Sequence, residues 1–292
     1  MKKKKLPFDF RHSPRLTALL KAALAEDIGP GDTTTETIVP KSIGAKAYVL
    51  ARQSGIFCGG EIAKELFRLV DSKVKLRFLV PEGGRFRRNQ KVIVIQGSVQ
   101  SILQAERTAL NFLGRLCGIS TKTRQFVDRI KRHKVAVLGT RKTTPLWREI
   151  EKYAVRVGGG RNHRMGLWDT IFVKENHRPY GDLGCLRRHP RRFHIEVRNL
   201  REMWEALSLK PRVILFDNFS PRDLQRAVRL ARKSQPDVIL EASGGIHLQN
   251  ILRYAKTGVN WISSGDLTHS VRAVNFSLLI EKKQKSIQKP QR

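Results

Sequence analysis

Val213-Ile-Leu-Phe-Asp217, a polar stretch from Arg222 to Lys233, and then Val238-Ile-Leu-Glu-Ala-Ser-Gly-Gly-Ile246 make up one repeating unit of this chain. A short apolar run ends on a carboxylate, a helical stretch follows, and a second apolar run ends on Glu241, Ser243 and a Gly-Gly turn. Short β-branched runs alternating with helices predict parallel strands buried on both faces. The same rhythm extends in both directions. Further strand candidates are Val135–Leu138, Thr170–Val173, His194–Val197 and Asn260–Ser263, and further helical stretches are Leu146–Val157, Leu200–Leu207 and Leu248–Lys256. Six strands with no evident edge predict a closed parallel α/β barrel rather than an open doubly wound sheet.

Before Lys134 the rhythm differs. Pro14 to Asp27 carries Leu16, Leu19, Leu20, Ala23 and Leu24 at helical spacing and ends in Ile28-Gly-Pro-Gly-Asp-Thr33, a strong breaker. Ala45–Leu50, Lys75–Val80 and Lys91–Gly97 predict strands, with a helix over Glu61–Val70 and a turn at Pro81-Glu-Gly-Gly84. This is an α+β pattern with a small antiparallel sheet. Ser101–Cys117 predicts a long amphipathic helix, and Ser120–Arg132 a second one.

The 292 residues suit one large or two medium domains, and a hydrophobic content of 40% supports a packed core. No apolar run approaches the roughly 20 residues that span a bilayer. Met1-Lys-Lys-Lys-Lys5 leads into Leu6-Pro-Phe-Asp-Phe10, which is no signal-peptide apolar region. Cys58, Cys117 and Cys185 form neither a CxxC pair nor a zinc spacing. A reduced, cytoplasmic protein with no membrane attachment is the expectation. The formal charge of +32 predicts attraction to polyanions. Some of it lies in Lys2 to Lys5, in Glu281 to Arg292 and in Arg187-Arg-His-Pro-Arg-Arg192. Aromatics are only 7% and are not interleaved with these blocks, so stacking recognition of single strands is not indicated. Contact with nucleic acid is expected only non-specifically, through charge.

Each strand candidate is followed at once by a polar or charged residue, at the strand end where parallel α/β barrels carry their chemistry. The cations are Arg141, Lys142 and Lys174, with His163 and Arg164 beside Gly158-Gly-Gly160. They suit a small molecule bearing several negative charges, because Arg offers a planar fork and Lys a point charge. Glu196 and Asp217 close adjacent strands and offer hard oxygens for Mg²⁺ held jointly with substrate. Ser243-Gly244-Gly245 and Ser264-Gly265 are turns after the last two strands, whose backbone N–H groups suit a phosphate, the first of them opening a helix at His247. Asp266 is a candidate helix N-cap. Arg107, on the long helix, reads by pattern as a surface residue.

Taken together, Arg141-Lys-Thr-Thr-Pro145, Glu151-Lys-Tyr-Ala-Val155, Gly158-Gly-Gly160, Asn162-His-Arg-Met-Gly-Leu167 and Lys174-Glu-Asn-His177 resemble the quinolinate phosphoribosyltransferase family. Glu26 to Thr34, Glu106 to Leu113, Phe216-Asp-Asn-Phe219, Glu241 to Ile246 and Ile262-Ser-Ser-Gly265 match the same family in the same order, so the resemblance covers roughly Leu16 to Leu279. It implies transfer of phosphoribosyl from phosphoribosyl pyrophosphate to quinolinate with Mg²⁺, giving nicotinate mononucleotide, pyrophosphate and CO₂. It implies an N-terminal α/β sandwich over 1–115, joined by the returning segment 273–292, and a catalytic barrel of about six main strands over 116–272. It implies a homodimer or an assembly of dimers. Arg141, His163, Arg164 and Lys174 would bind the quinolinate carboxylates with Lys142 lining the pocket, and Arg107 would reach the neighbouring subunit's site. Glu196 and Asp217 would serve the ribose and metal end, and Ser243, Gly244 and Gly265 the 5-phosphate.

The chain departs from the family pattern at several points. Gly139 stands where Asp is usual, Leu146 where a Gly usually follows Thr-Thr-Pro, and His194 where an acid is common. The stretch from His177 to His194 is short, and Pro179 and Pro190 leave room there for only a short helix. The rival readings are the paralogous phosphoribosyltransferase-like protein of molybdenum transport operons, and a basic nucleic-acid-binding protein on the same fold. Asn162-His-Arg164 with Lys174-Glu-Asn-His177 favours the quinolinate enzyme.

Overall fold

Ser13 accepts a hydrogen bond from Leu16 N at 3.3 Å and opens helix α1 (Pro14–Ile28), which buries Leu16, Leu20 and Leu24. The helix stops at Gly29, whose φ of 57° suits a residue without Cβ. The computed structural model describes residues 13–281, which divide into two compact units: the chain up to Gly118 together with the chain from Arg272, and Ile119–Val271.

In the first unit α1 is followed by α2 (Thr33–Ile38), β1 (Gly44–Ala51), β2 (Gly55–Ile56), α3 (Gly60–Val70), β3 (Lys75–Phe78), β4 (Arg85–Phe86) and β5 (Lys91–Ser98). Alternation along β1 buries Ala47, Val49 and Ala51 on one face. Helix α4 (Val99–Arg129) is one continuous helix, where the sequence predicts two. Gly118, which lies between the two predicted helices, costs only about 1 kcal/mol in a helix interior. The fully buried Leu116, Cys117 and Ile119 around it hold the helical path. Gly114 has a stricter role: a Cβ there would lie 2.8 Å from Val274 O, and Val274 N donates to Gly114 O at 2.9 Å.

The second unit runs β6 (Ala136–Gly139), α5 (Arg148–Val157), β7 (Arg161–Asn162), β8 (Ile171–Val173), β9 (Phe193–Val197), α6 (Leu200–Ser208), β10 (Val213–Asp217), α7 (Pro221–Ser234), β11 (Ile239–Ser243), α8 (Ile251–Ala255), β12 (Trp261–Ser264) and α9 (Asp266–His269). All six predicted strands form, and the two-residue β7 is a seventh. Between β8 and β9 the chain makes only two short 3₁₀ turns, Glu175–His177 and Leu183–Arg188, as the two prolines require. The sheet order is β7-β6-β12-β11-β10-β9-β8, with every pair parallel.

The sheet is a curled half-barrel rather than a fully closed barrel, because among the described residues β7 and β8 share no ladder. The curl is nonetheless tight. The His163 ring, just past β7, stacks on Phe172 of β8 at 5.3 Å and 15°. Two further expectations are corrected. No helix opens at His247; α8 starts at Ile251, because Asn250 Oδ1 accepts from His247 N and holds the intervening residues in a turn. Asp266 is the first residue of α9 and Gly265 is its cap.

The chain then re-enters the first unit as β13 (Phe276–Ile280), which pairs antiparallel with β1 and completes the order β13-β1-β5-β3. Phe276 is buried against Phe86, with ring centroids 5.6 Å apart. The fold class is therefore the one the sequence indicates: a small antiparallel α+β unit and a parallel α/β barrel unit.

Candidate active site

A cavity of about 750 Å³ opens at the C-terminal ends of the barrel strands. Its lining includes Arg141, Lys142, His163, Arg164, Lys174, Glu196, Asp217, Ser243, Gly244, Gly245, Ser264 and Gly265. Every predicted site residue of the barrel unit is thus brought to one place. Arg107 is exposed on α4 and is not among the lining residues. Phe172, Glu175, Arg148, Asn218, His247 and His269 also line the cavity, and sequence reasoning had not singled them out.

The cationic wall is built on the ends of β6, β7 and β8. His163 Nε2 lies 3.0 and 2.9 Å from the two oxygens of Glu241, which is fully buried. Glu241, Phe172 and the edge of His194 (5.5 Å, 74°) thereby fix the imidazole plane. Burial, reinforced by the neighbouring His163, pushes His194 down to about 4, so it packs as a neutral ring. Lys152 supports the loop from below: its Nζ donates to His163 O at 2.5 Å and to Arg164 O at 2.7 Å. Burial, with Arg148 next in effect, lowers this lysine to about 8. The Arg164 guanidinium sits 5.0 Å over the Phe172 ring and donates to Thr170 O. Arg148 ties two loops together by donating to Thr143 Oγ1 and Met165 O. The buried Glu151 accepts from Thr144 N and Thr144 Oγ1, and Thr268 Oγ1 donates to Lys142 O at 2.6 Å.

The carboxylates stand on the next strands. Leu215 is in register with Glu196 on one side and Glu241 on the other, and Asp217 ends its strand beside Ser243. Lys174 Nζ lies 2.7 Å from Glu196 Oε2. Burial, and then the hydrogen bond shared with Glu175, push Glu196 up to about 7 against the pull of Lys174. Glu175 is held below its ordinary range by that same bond. Two carboxyls side by side cannot both ionise cheaply, so the pair keeps a proton that an isolated carboxyl would lose. No group of three His, Cys, Asp or Glu among the described residues could enclose a metal unaided. Glu196 and Asp217 fit Mg²⁺ only as a partial set of hard oxygens, to be completed by ligand oxygens or water.

The opposite wall is glycine. Gly244 has φ 90°, and a Cβ there would lie 2.2 Å from Asn218 Oδ1, so no other residue fits without displacing Asn218. Gly245 has φ 59° with open space beside it, and a Cβ on Gly265 would meet Lys142 and His269 at 2.7 Å. Ser264 Oγ joins the two loops, donating to Ile246 O at 2.6 Å and accepting from Asp266 N at 3.2 Å.

Comparison with known proteins matches the C-terminal domain of quinolinate phosphoribosyl transferase over 119–279 and its N-terminal domain over 32–117. The chain belongs to the quinolinate phosphoribosyltransferase family. It is 37% identical over 271 residues to nicotinate-nucleotide pyrophosphorylase [carboxylating] of Mycobacterium leprae, covering 89% of this chain and 95% of that one. It is 34% identical over 290 residues to quinolinate phosphoribosyltransferase [decarboxylating] 1 of Nicotiana glauca, covering 91% and 82%. The solved nicotinate-nucleotide pyrophosphorylase of Francisella tularensis superimposes with a TM-score of 0.85 at 37% identity, covering 91% and 96%.

The departures from the family pattern now have a structural setting. Leu146 takes φ 66°, a conformation natural to glycine, and its side chain is 87% exposed. Gly139 leaves its space to Asn162 Oδ1, which a Cβ would approach to 3.0 Å and which is buried without a hydrogen-bond partner. His194 fills the position of the usual acid with an uncharged ring. In this quinolinate phosphoribosyltransferase family member, Glu241 was visible in sequence only as a strand-end charge. Glu175 lay within a quoted motif without a role. Lys152 stood within the Glu151-Lys-Tyr-Ala-Val155 match without a role, since a lysine on an amphipathic helix is ordinarily solvated.

Proposed function

We propose that this chain joins quinolinate to phosphoribosyl pyrophosphate with loss of pyrophosphate and CO₂, as a carboxylating nicotinate-nucleotide pyrophosphorylase. The observation that carries the reading is the order of side chains around the mouth of the cavity. Cations on β6 to β8 face glycine turns on β11 and β12, and the carboxyls of β9 and β10 lie between them. Arg141, His163, Arg164 and Lys174 bind the two quinolinate carboxylates, with Lys142 alongside. Ser243, Gly244, Gly245, Ser264 and Gly265 cradle the 5-phosphate.

Two polyanions repel each other, so their approach depends on fixed positive charge already in place. The C1–O bond to pyrophosphate breaks as the pyridine nitrogen bonds to C1, and positive charge that builds on C1 is stabilised by Glu196 and Asp217. Mg²⁺, held by those two carboxylates and substrate oxygens, would neutralise the departing pyrophosphate. The ribosylated ring is then cationic, so the C2–carboxylate bond can break to release CO₂. The electron pair left on C2 is stabilised by the ring and takes a proton from solvent. No protein nucleophile is needed.

In the described residues no helix is long and apolar enough to cross a membrane, and a cytoplasmic enzyme is the reading we adopt. Assembly as homodimers, with Arg107 entering the neighbour's site, accords with the exposure of this arginine on α4. Mixing inactive Arg107→Ala and inactive Arg141→Ala chains tests this. Regained turnover in the mixture is expected, and its absence in a verified mixed dimer counts against a shared site.

The primary test is turnover with Mg²⁺, quinolinate and phosphoribosyl pyrophosphate, following nicotinate mononucleotide and CO₂, with nicotinic acid run in parallel. Product from quinolinate alone, lost in Arg141→Ala, is the expected result. Turnover of nicotinic acid without CO₂ release would overturn it.

A further inference from the structure

The two ends of the barrel unit differ in charge balance. At the C-terminal strand ends the cavity sets Arg141, Lys142, Arg148, Arg164 and Lys174 against Glu175, Glu196, Asp217 and Asp266. At the N-terminal strand ends there is no such balance. Arg191 and Arg192 precede β9, Lys210 and Arg212 precede β10, and all four are exposed. Three to five strands along the sheet, Lys131, Lys134 and Arg161 are exposed at the start of β6 and β7, around a separate cleft of about 530 Å³ whose lining contains no carboxylate. Across both groups the only ion pair among the described residues is Arg191 to Asp237, at 4.0 Å between side chains 67% and 82% exposed. At that exposure it does little to neutralise the face.

The backbone adds a second, independent observation. Arg191 (φ 58°) and Lys210 (φ 53°) both occupy the left-handed region, where glycine or asparagine would sit with less strain. They are bonded to each other, Arg191 N donating to Lys210 O at 2.8 Å, and Arg212 N donates to Phe193 O at 3.0 Å. Two adjacent strained turns that both present cations point to a use for those cations.

We propose that the N-terminal end of the barrel unit is a phosphate-binding face that holds the backbone of duplex nucleic acid without reading its sequence. Because the sheet is curled, the cations at β6 and β7 and those at β9 and β10 ring one end of it and do not lie along a straight line. A duplex carries one charge per ~1.7 Å of axis counting both strands, so several phosphates lie within reach of such a ring of cations. Arginine predominates near β9 and β10 and matches phosphate with its fork. Leu167, Trp168 and Ile171 are exposed at the entry to β8, and Trp261 lines the cleft, so a duplex is favoured over a single strand or a membrane on the strength of the cations and not for want of apolar surface. The face is separate from the catalytic cavity, so this reading does not depend on the reaction proposed above.

The test uses the full chain and a labelled 20-base-pair duplex of scrambled sequence, titrated between 50 and 200 mM salt. One variant carries Arg191→Ser, Arg192→Ser, Lys210→Ser and Arg212→Ser. A control carries Lys2→Ser to Lys5→Ser. Each lost phosphate contact removes about 0.9 from the slope of log affinity against log salt, so the face variant is expected to lose about 3 to 4 from that slope. The control keeps most of the slope. Lys210→Gly is expected to hold or raise the thermal midpoint while weakening duplex binding several-fold. An unchanged slope in the face variant with a normal thermal midpoint overturns the proposal. So does loss of binding in the tail control alone, or binding to anionic phosphatidylserine vesicles with none to duplex.

Discussion

At the scale of single residues, strain and protonation give the sharpest expectations. Leu146 holds a left-handed conformation that costs an L-residue roughly 1–2 kcal/mol, and its exposed side chain recovers little of that by burial. Leu146→Gly removes the strain but enlarges the freedom of the unfolded chain by about 0.4–1 kcal/mol. The net expectation is a gain of up to about 1 kcal/mol in urea unfolding, with quinolinate turnover retained. A loss of stability would show that the leucine makes a favourable contact elsewhere in the assembly.

Glu196 gives a pH signature. Its folded-state pKa of about 7 lies above the ordinary carboxyl value of 4.5. The folded state therefore binds the extra proton, and that contribution to stability is complete below about pH 4.5 and fades as pH rises through 7. Glu175, shifted downward, acts in the opposite sense and loses its contribution as pH falls. The substrate-free wild type is expected to lose thermal midpoint between pH 5 and 7.5 relative to Glu196→Gln. Parallel profiles for the two proteins would place the shared proton elsewhere. The cations and both strand-end carboxylates were legible in sequence because each sits beside a break in periodicity. The Glu175–Glu196 pairing was not, because it depends on how far one 3₁₀ turn leans toward the neighbouring strand.

At the scale of elements, helix α5 shows what sequence patterns miss. Its apolar positions predicted the helix and its end at Gly158, yet the helix buries Glu151 and Lys152 as fully as Ile150. Each satisfies a loop: Glu151 binds Thr144, and Lys152 binds the carbonyls of His163 and Arg164. Lys152→Met keeps the stem and removes the donors, leaving two carbonyls without their charged partner, at a cost of about 1–3 kcal/mol. The quinolinate KM is expected to rise at least tenfold while the KM for phosphoribosyl pyrophosphate changes little, since the braced loop belongs to the cationic wall alone. Equal rises in both constants would mean that α5 supports the whole mouth. The strands were the most legible elements. Helix continuity through Gly118 and the late start of α8 were less so, because both are decided by packing and by the Asn250 side chain rather than by periodicity.

At the scale of the molecule, the path of the chain matters more than any single contact. The first unit is not complete until the chain has passed through the barrel and returned as β13. The sequence showed no alternation strong enough to predict this strand: along Phe276–Ile280 only Phe276 is fully buried. Its role follows from position. Without it, β1 would be an unpaired edge, an open row of backbone N–H and C=O groups that invites association with other chains. Phe86 would lose the Phe276 ring, and Arg52 N would lose its bond to Asn275 O at 2.8 Å. A stop codon placed after Val274 should therefore damage the N-terminal unit although it removes only C-terminal residues. The expected outcome is rapid proteolysis within β1 to β5 and aggregation on warming, while the barrel unit, which ends at Val271, keeps its protected fragments. A stop after Glu281 retains β13 and is expected to leave the proteolysis pattern unchanged. If both truncations behaved alike, the return strand would be dispensable and the first unit would have to draw its stability from α1, α3 and β1 to β5 alone.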